Sequence, residues 1–295
     1  MLKTLLTEQS HPASTGIGQF PTVEILAVMN AADAEIAAAV ALEIPRIAAA
    51  VDAIAAKLDR GGHLTYIGAG TSGRLGVLDA AECPPTFNVP PELVRGVIAG
   101  GEKALTRSSE ASEDDPEAGA RDLLASGFGP GDALVGIAAS GRTPYVLGAV
   151  AAARKLGALT AGISCTPDSE LSRAVEFPIE PKPGPEILTG STRLRAGTAT
   201  KMVLNMISTG VMIRLGHVYG NLMVNVQPTN KKLEDRARRI IEQAAEVTAE
   251  RAAELLEQSG RSVRTAIVME KKKVSREQAE SLLRNTRGKI GEALL

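Results

Sequence analysis

The spacing of hydrophobic residues divides the chain into three regions. Over residues 22–58 the sequence is rich in alanine, and its larger aliphatic residues recur at near-helical spacing with an interruption at Pro45, which predicts two helices. Beyond Gly61-Gly62, short apolar runs alternate with loops of small residues and with helical stretches. From Lys231 onward, charged segments with narrow apolar stripes predict a small helical bundle.

The middle region predicts an α/β fold. Three apolar runs, each leading through a small-residue loop into a helix, predict strands at residues 63–67, 133–137 and 159–163. A fourth run at 94–98 predicts an edge strand. Because strands that alternate with helices form parallel sheets with both faces covered, we expect a central parallel sheet flanked by helices. The prolines of residues 178–185 predict a break in regular structure.

Composition and charge exclude several classes of protein. The 295 residues are 44% hydrophobic, 33 Lys and Arg nearly balance 34 Asp and Glu, and aromatic residues make up 2%. A nucleic-acid-binding protein needs a basic face and stacking rings, so we expect no nucleic-acid partner. No apolar run approaches the roughly 18 residues of a membrane span, and polar residues interrupt the amino-terminal segment where a signal peptide needs an apolar core. These features predict a cytoplasmic protein with no membrane partner.

A glycine-rich loop follows the first predicted strand. Residues 68–73 read Gly-Ala-Gly-Thr-Ser-Gly, which satisfies the dinucleotide-binding pattern between a strand and a helix. An NAD site also needs an acidic residue about 20 residues further on, where this sequence has Pro-Pro-Thr-Phe-Asn instead. Thr71 and Ser72 place two hydroxyls beside the free amides of a helix start, which favours a single phosphate monoester. The alternative is that Ser72 only caps the helix.

Two further hydroxyl-rich loops are expected close to the first. Their polar and glycine residues are Ser140, Gly141, Thr143, Ser191 and Thr192. The first of these loops follows the strand predicted at 133–137, and Thr143 takes the N-cap position of a helix that begins with Pro144. Since ligands of open α/β sheets bind at the carboxyl ends of strands, the three loops predict one pocket for a phosphorylated polyol.

Two carboxylates near these loops are candidates for acid–base chemistry. Glu82 precedes Cys83-Pro84-Pro85, whose prolines are expected to end the helix and stiffen the chain. Glu113 lies in an acidic run at 110–116, and such a run before a helix usually complements the helix dipole at the surface. The cysteines and histidines are too scattered to predict a metal site. The residues alone leave the roles of the two glutamates open.

Four segments together resemble one known family. They are residues 68–75 (GAGTSGRL), 79–86 (DAAECPPT), 137–145 (IAASGRTPY) and 190–198 (GSTRLRAGT). They closely resemble N-acetylmuramic acid 6-phosphate etherases, and the similarity runs essentially end to end. The resemblance implies a three-layer SIS (sugar isomerase) fold with a small carboxyl-terminal helical domain similar to ubiquitin-associated folds. It also implies a helical segment at 1–55 packing on the SIS domain, a SIS domain over 56–220, and the helical bundle over 231–295.

The resemblance further implies a reaction. These etherases cleave the D-lactyl ether at C3 of N-acetylmuramic acid 6-phosphate, a step in recycling cell-wall amino sugars, and they need neither metal nor other cofactor. Elimination is chemically reasonable because the C2 proton of the open-chain sugar is α to the aldehyde, and water then adds at C3. Glu82 corresponds to the family's proposed proton donor and Glu113 to its second acid–base residue. The resemblance places sugar and phosphate on the loops that carry Thr71, Ser72, Ser140, Gly141, Thr143, Ser191 and Thr192, and it implies a homodimer.

Three other functions remain open from the sequence. A sugar-phosphate sensor like the glucokinase regulator would share the loops but act by binding a partner, and the presence of both glutamates favours an enzyme instead. An aldose–ketose isomerase would also remove the C2 proton but transfer it to C1, so the products distinguish the two. A glycosidase with paired carboxylates fits a phosphate-binding α/β sheet poorly. The chain departs from many relatives at Ala81, where Ser is common, and at Arg195, where Lys is frequent.

Overall fold

The computed structural model describes residues 8–107, 112–228 and 230–295. The chain divides into two compact units. The first extends to Ala81 and resumes over Pro91–Gly210, and the second contains Glu82–Pro90 and Val211–Leu295.

A five-stranded parallel sheet forms the centre of the first unit. Its strands are β1 (Leu64–Gly68), β2 (Val94–Ile98), β3 (Ala133–Ile137), β4 (Leu159–Ile163) and β5 (Phe177–Ile179). Their spatial order is β2-β1-β3-β4-β5, so the strand predicted at 94–98 does lie at an edge. Every residue of β1, β3 and β4 is buried, as expected where helices cover both faces. The predicted α/β fold is confirmed.

Helices connect these strands and continue beyond them. Those that begin in the first unit are α1 (Thr22–Ala34), α2 (Ile36–Ala41), α3 (Ile44–Leu58), α4 (Gly70–Phe87), α5 (Lys103–Thr106), α6 (Pro116–Ala125), α7 (Pro144–Lys155), α8 (Glu170–Ala174) and α9 (Arg195–Arg214). Helix α7 packs on β1, β3 and β4, whereas α3 packs on β4 and β5. The aliphatic side chains between these layers form the core of the unit.

Three differences separate the predicted from the observed elements, and two of them involve proline. Residues 22–58 form three helices rather than two, because an additional break falls at Glu35 between α1 and α2. The predicted interruption at Pro45 is confirmed, since Pro45 lies in the first turn of α3, where its missing N–H has no role. Pro84 and Pro85 do not end α4, which continues to Phe87. Proline's fixed φ suits a helix, so the helix proceeds with two backbone hydrogen bonds fewer. The predicted break at 178–185 is wrong at its start, because Pro178 lies in edge strand β5, where a missing donor is tolerated.

The second unit is helical, as predicted for the carboxyl end of the chain. A two-stranded hairpin, β6 (Val218–Tyr219) and β7 (Leu222–Met223), precedes five helices. These are α10 (Lys231–Ala245), α11 (Ala249–Gln258), α12 (Val263–Lys272), α13 (Arg276–Asn285) and α14 (Ile290–Ala293). Their apolar stripes enclose a separate core. The domain bounds 1–55, 56–220 and 231–295 and the likeness to ubiquitin-associated folds stay predictions.

No single helix in the described part of the chain is long and apolar enough to cross a membrane. The pair Thr22–Ala41 and Ile44–Leu58, bent by 59°, passes that criterion together by length and composition.

Candidate functional site

The strands of the sheet end in register, which brings their following loops to one edge. Gly68 at the end of β1 pairs with Ile137 at the end of β3, and Ile137 pairs with Ile163 at the end of β4. Because β1 and β3 are neighbours, the loops at 69 and at 138–143 lie side by side at their carboxyl ends.

The glycine-rich loop lets a helix start directly at the end of β1. A β-carbon on Gly73 would lie 2.6 Å from the Gly68 carbonyl oxygen, and one on Gly68 would lie 2.7 Å from the Gly73 nitrogen. Helix α4 therefore begins at Gly70, with Thr71 and Ser72 in its first turn. The amides of that turn have no carbonyl acceptor within the helix and are available to an anion.

Glu113 lies between this loop and the start of α7. Its backbone carbonyl accepts a hydrogen bond from the Tyr145 N–H at 3.0 Å. Its carboxylate Oε1 lies 3.1 Å from the position that a β-carbon on Gly70 would take. Glu113 is half-buried, so the exposed surface position that an acidic run usually indicates does not describe it. The structure thus places a carboxylate beside the glycine-rich loop.

The loop after β3 combines packing residues with free polar groups. Gly141 is buried at φ +68°, and a β-carbon there would lie 2.2 Å from Ser169, so only glycine fits. The Ser140 hydroxyl accepts from the Arg142 N–H at 3.3 Å. Thr143 occupies the N-cap position of α7 before Pro144, as predicted, and its side chain makes no capping hydrogen bond. Its carbonyl accepts from the Val146 N–H at 3.0 Å.

The third loop is closed by a buried carboxylate that no sequence motif marks. Glu186 is 1% exposed, and its two oxygens accept from the N–H groups of Arg195 and Ala196 at 2.8 and 2.9 Å. Burial raises the pKa of Glu186, and these amide hydrogen bonds oppose the rise. The side chain caps α9 from across the loop and fixes both ends of the segment that carries Ser191 and Thr192.

The end of the third loop lies next to the first. A β-carbon on Gly197 would lie 3.4 Å from the Thr192 carbonyl oxygen and 3.6 Å from Thr71 Cγ2. The first unit therefore brings together the loop after β1 and the loop before α9, and the loop after β3 adjoins them through the sheet.

A half-buried acid holds the helix that carries Thr71 and Ser72. Asp79 Oδ1 accepts a hydrogen bond from the Ser208 hydroxyl of α9 at 3.1 Å. Burial raises the pKa of Asp79, and the neighbouring hydroxyls of Tyr66 and Ser208 oppose the rise. The only sequence signal was its place in the DAAECPPT segment.

Five hydroxyl groups at this edge of the sheet are not used by the fold. In the part of the chain that the structure describes, the side-chain hydroxyls of the following residues make no hydrogen bond to another protein group: Thr71, Ser72, Thr143, Ser191 and Thr192. Ser72 lies inside α4, so its hydroxyl does not cap the helix and the capping alternative is wrong. Free hydroxyls beside free amides suit the oxygens of a phosphorylated sugar.

Glu82 lies on the carboxyl-terminal part of α4 and belongs to the second unit. It is exposed, and the next residue, Cys83, is buried. Its catalytic role stays a prediction. Among the described residues, no group of three or more His, Cys, Asp or Glu side chains could hold a metal ion.

The parallel sheet with hydroxyl-bearing loops at its carboxyl edge defines a SIS-type α/β domain, and residues 46–154 match the model of the glucokinase regulatory protein N-terminal SIS domain. Relatives that match nearly the full length of this chain identify the family. The chain is 51% identical to an N-acetylmuramic acid 6-phosphate etherase of Aeromonas hydrophila over 99% of this chain and 98% of the relative. Etherases of Rhodopirellula baltica and Clostridium beijerinckii are 50% and 48% identical over 99% of this chain and 97% and 96% of the relatives. The chain belongs to the N-acetylmuramic acid 6-phosphate etherase family.

Proposed function

We propose that this protein is a carbon–oxygen lyase that cleaves the D-lactyl ether at C3 of N-acetylmuramic acid 6-phosphate. The products are N-acetylglucosamine 6-phosphate and D-lactate, which makes the reaction a step in recycling cell-wall amino sugars. The observation that carries this proposal is the Glu113 carboxylate beside a glycine-rich loop with unused hydroxyls, in a chain about half identical to etherases over nearly its full length.

The phosphate group is the anchor of the substrate in this proposal. The first-turn amides of α4 and the hydroxyls of Thr71 and Ser72 bind its oxygens, because the positive end of a helix and free N–H groups favour a dianion. Ser191 and Thr192 approach from the third loop, and Ser140 and Thr143 from the loop after β3. Binding energy gained at the phosphate, far from C2 and C3, positions the reacting carbons for catalysis.

Glu113 and Glu82 form the acid–base pair of the proposed mechanism. In the open-chain sugar, a carboxylate takes the C2 proton, the C3–O bond breaks, and a carboxylic acid protonates the departing lactate oxygen. The product of this step is an α,β-unsaturated aldehyde. Water then adds its oxygen to C3 and C2 is reprotonated, so the overall reaction consumes one water and releases lactate.

The proposal is tested by incubating the protein with N-acetylmuramic acid 6-phosphate in ¹⁸O-labelled water. We expect D-lactate release, with the label on the C3 oxygen of N-acetylglucosamine 6-phosphate. A ketose product without lactate would indicate an isomerase. Binding without any turnover would indicate a sugar-phosphate sensor like the glucokinase regulator.

Replacement of the glutamates tests their assignment. Glu113→Gln and Glu82→Gln should each lower kcat by roughly 10²–10⁴-fold with little change in folding, because each removes one proton-transfer group. Asp114→Asn is the matched control, since Asp114 is exposed and adjacent to Glu113. Exchange of the C2 hydrogen with solvent, followed by NMR in each variant, assigns the base, because the variant that lacks it loses exchange. A Glu113→Gln variant with full activity would contradict the assignment.

We also propose that the protein is a cytoplasmic homodimer. The proposed substrate is a charged phosphate ester, which does not cross a membrane unaided and is therefore processed where it is formed. The helices before β1 supply exposed apolar side chains for an interface between two copies.

A further inference from the structure

The second unit contains an arginine-lined cavity that the proposed reaction does not use. Its volume is about 420 Å³, and its charged lining comprises Arg264 in α12, Glu280 and Arg284 in α13, and Arg287 in the turn that follows. Glu280 is engaged by Arg276 of the same helix at 2.7 Å. The cavity is therefore lined by three arginines and by one carboxylate that already pairs with Arg276.

Arg264 is the most buried of the three guanidinium groups. It is half-buried, and its Nη1 donates one long hydrogen bond, 3.4 Å, to the Gly288 carbonyl. Among the residues that the structure describes, no carboxylate forms a salt bridge with Arg264. Burial lowers the pKa of Arg264, and nothing opposes that effect. A partly desolvated cation without a counter-charge is unfavourable, so an anion in the cavity would stabilise it.

The backbone around Arg264 leaves room for this guanidinium. Gly288 has φ +82°, and a β-carbon there would lie 2.5 Å from Arg264 Nη1, so a side chain at this position would displace the cation. Arg264 also lies in the first turn of α12, which has no acidic residue. The helix dipole disfavours a cation at this end and favours an anion.

We propose that the cavity formed by Arg264, Arg284 and Arg287 is a binding site for a small dianion of the phosphate-monoester class. Planar guanidinium groups bind phosphate oxygens through paired, charge-assisted hydrogen bonds. The volume lies within the range of small-molecule sites, about 300–1,000 Å³. This site is made by the second unit alone and does not depend on the proposed lyase activity.

His217 provides a local reporter of binding. Burial, and after it the positive charge of Arg264, lowers the pKa of His217 to about 4. A dianion bound at Arg264 would offset that charge, so the pKa of His217 should rise when the cavity is filled.

The test is an NMR titration of the full-length protein with inorganic phosphate, which follows the imidazole resonances of His217 among the three histidines of the chain. We expect a saturable shift and a higher pKa for His217 in the bound form. Arg284 and Arg287 are exposed, so Arg284→Gln and Arg287→Gln should leave the unit folded and weaken binding by at least about tenfold each. Arg264→Lys keeps the positive charge but loses the planar guanidinium with its paired N–H donors, so this variant should also weaken phosphate binding.

Two control variants test whether the His217 response comes from this cavity. Arg239 pairs with Asp235 on α10 and does not line this cavity, so Arg239→Gln should titrate like the unmodified protein. Thr71→Ala alters the glycine-rich loop of the first unit and should leave the His217 response unchanged, which separates the two phosphate sites. A response that never saturates, or one that persists in all three arginine variants, would overturn the proposal.

Discussion

At the scale of single residues, His217 shows how burial and one hydrogen bond select a charge state. Its Nδ1 lies 2.9 Å from the side-chain nitrogen of Asn225, which also donates to the Phe87 carbonyl at 2.8 Å. An amide nitrogen only donates, so Nδ1 is the accepting, unprotonated ring nitrogen. The lowered pKa, about 4, agrees with this arrangement. The folded second unit therefore holds His217 neutral.

We expect the second unit to lose stability as the pH falls from about 6.5 towards 4. In that window the unfolded chain binds a proton at this histidine and the folded unit does not, so protonation favours unfolding. With allowance for partial exposure of the ring, the loss should reach about 1–2 kcal/mol. Urea unfolding across this range should show a flatter pH dependence for His217→Gln, and no change for His11→Gln, which alters the first unit. Equal slopes for the unmodified protein and His217→Gln would contradict this account.

Glu186 stabilises the fold by accepting hydrogen bonds from two backbone N–H groups of α9. Glu186→Ala would leave the first two N–H groups of α9 without their acceptor, which should lower the free energy of unfolding by about 2–3 kcal/mol. KM should rise as well, because Glu186 fixes the ends of the loop that carries Ser191 and Thr192. Denaturant unfolding and steady-state kinetics measure the two effects. Glu176→Ala, at an exposed position ten residues earlier, is the control. Lost stability with an unchanged KM would rule out the effect on the loop.

At the scale of elements, the junction of β1 and α4 couples loop conformation to the position of Glu113. Gly70 has φ +51°, and a β-carbon there would press on the Glu113 carboxylate at 3.1 Å. Gly70→Ala should therefore cost about 1–2 kcal/mol in backbone strain and also lower kcat, because Glu113 must move. Gly101→Ala is a matched control, since Gly101 has φ +65° with nothing within 4 Å of an added β-carbon. We expect it to share the strain without the loss of activity; equal kcat values in the two variants would contradict the coupling.

The elements that were predicted correctly are those that the local pattern of hydrophobic and polar residues determines. The strands β2, β3 and β4 occupy their predicted residues. Proline explains two of the differences, because its effect depends on whether its missing N–H would have had a partner. At Pro45, in a first helical turn, no partner exists and the predicted interruption is correct. At Pro178, on an edge strand, the missing donor is tolerated and the strand forms.

The parts of the site that could not be predicted depend on contacts between distant segments. The acidic run around Glu113 is by itself typical of a surface, and only the family resemblance marks this residue. Its backbone pairing with Tyr145 and the place of its carboxylate beside Gly70 depend on the fold. Glu186 acts on amides nine and ten residues further along the chain, a spacing that no helix-capping pattern contains. The hydroxyls of Thr71 and Ser72 were predictable, because the strand–glycine–helix sequence itself fixes their place at the start of α4.

At the scale of the whole molecule, the helices before β1 have two different faces. The inner face of α3 is buried and packs on β4 and β5. Large apolar side chains on α1, in the segment that joins α2 to α3 and at the start of α3 remain open to solvent: Val23 is 76% exposed, Leu26 58%, Leu42 80% and Ile44 50%. Exposed side chains of this kind, close together in the sequence, are typical of an interface between subunits.

We therefore expect the protein to be a dimer that uses these helices, with a mass in light scattering close to twice the 30.7 kDa of one chain. The double substitution Leu26→Glu and Leu42→Glu places two charges at positions that become buried in that dimer, so it should give a folded monomer. Leu124→Glu is the matched control, because Leu124 on α6 is 50% exposed and lies away from these helices in the sequence. If the dimer persists in the double variant, its interface lies elsewhere on the molecule. If the unmodified protein is a fully active monomer, the homodimer proposal fails while the lyase proposal stands.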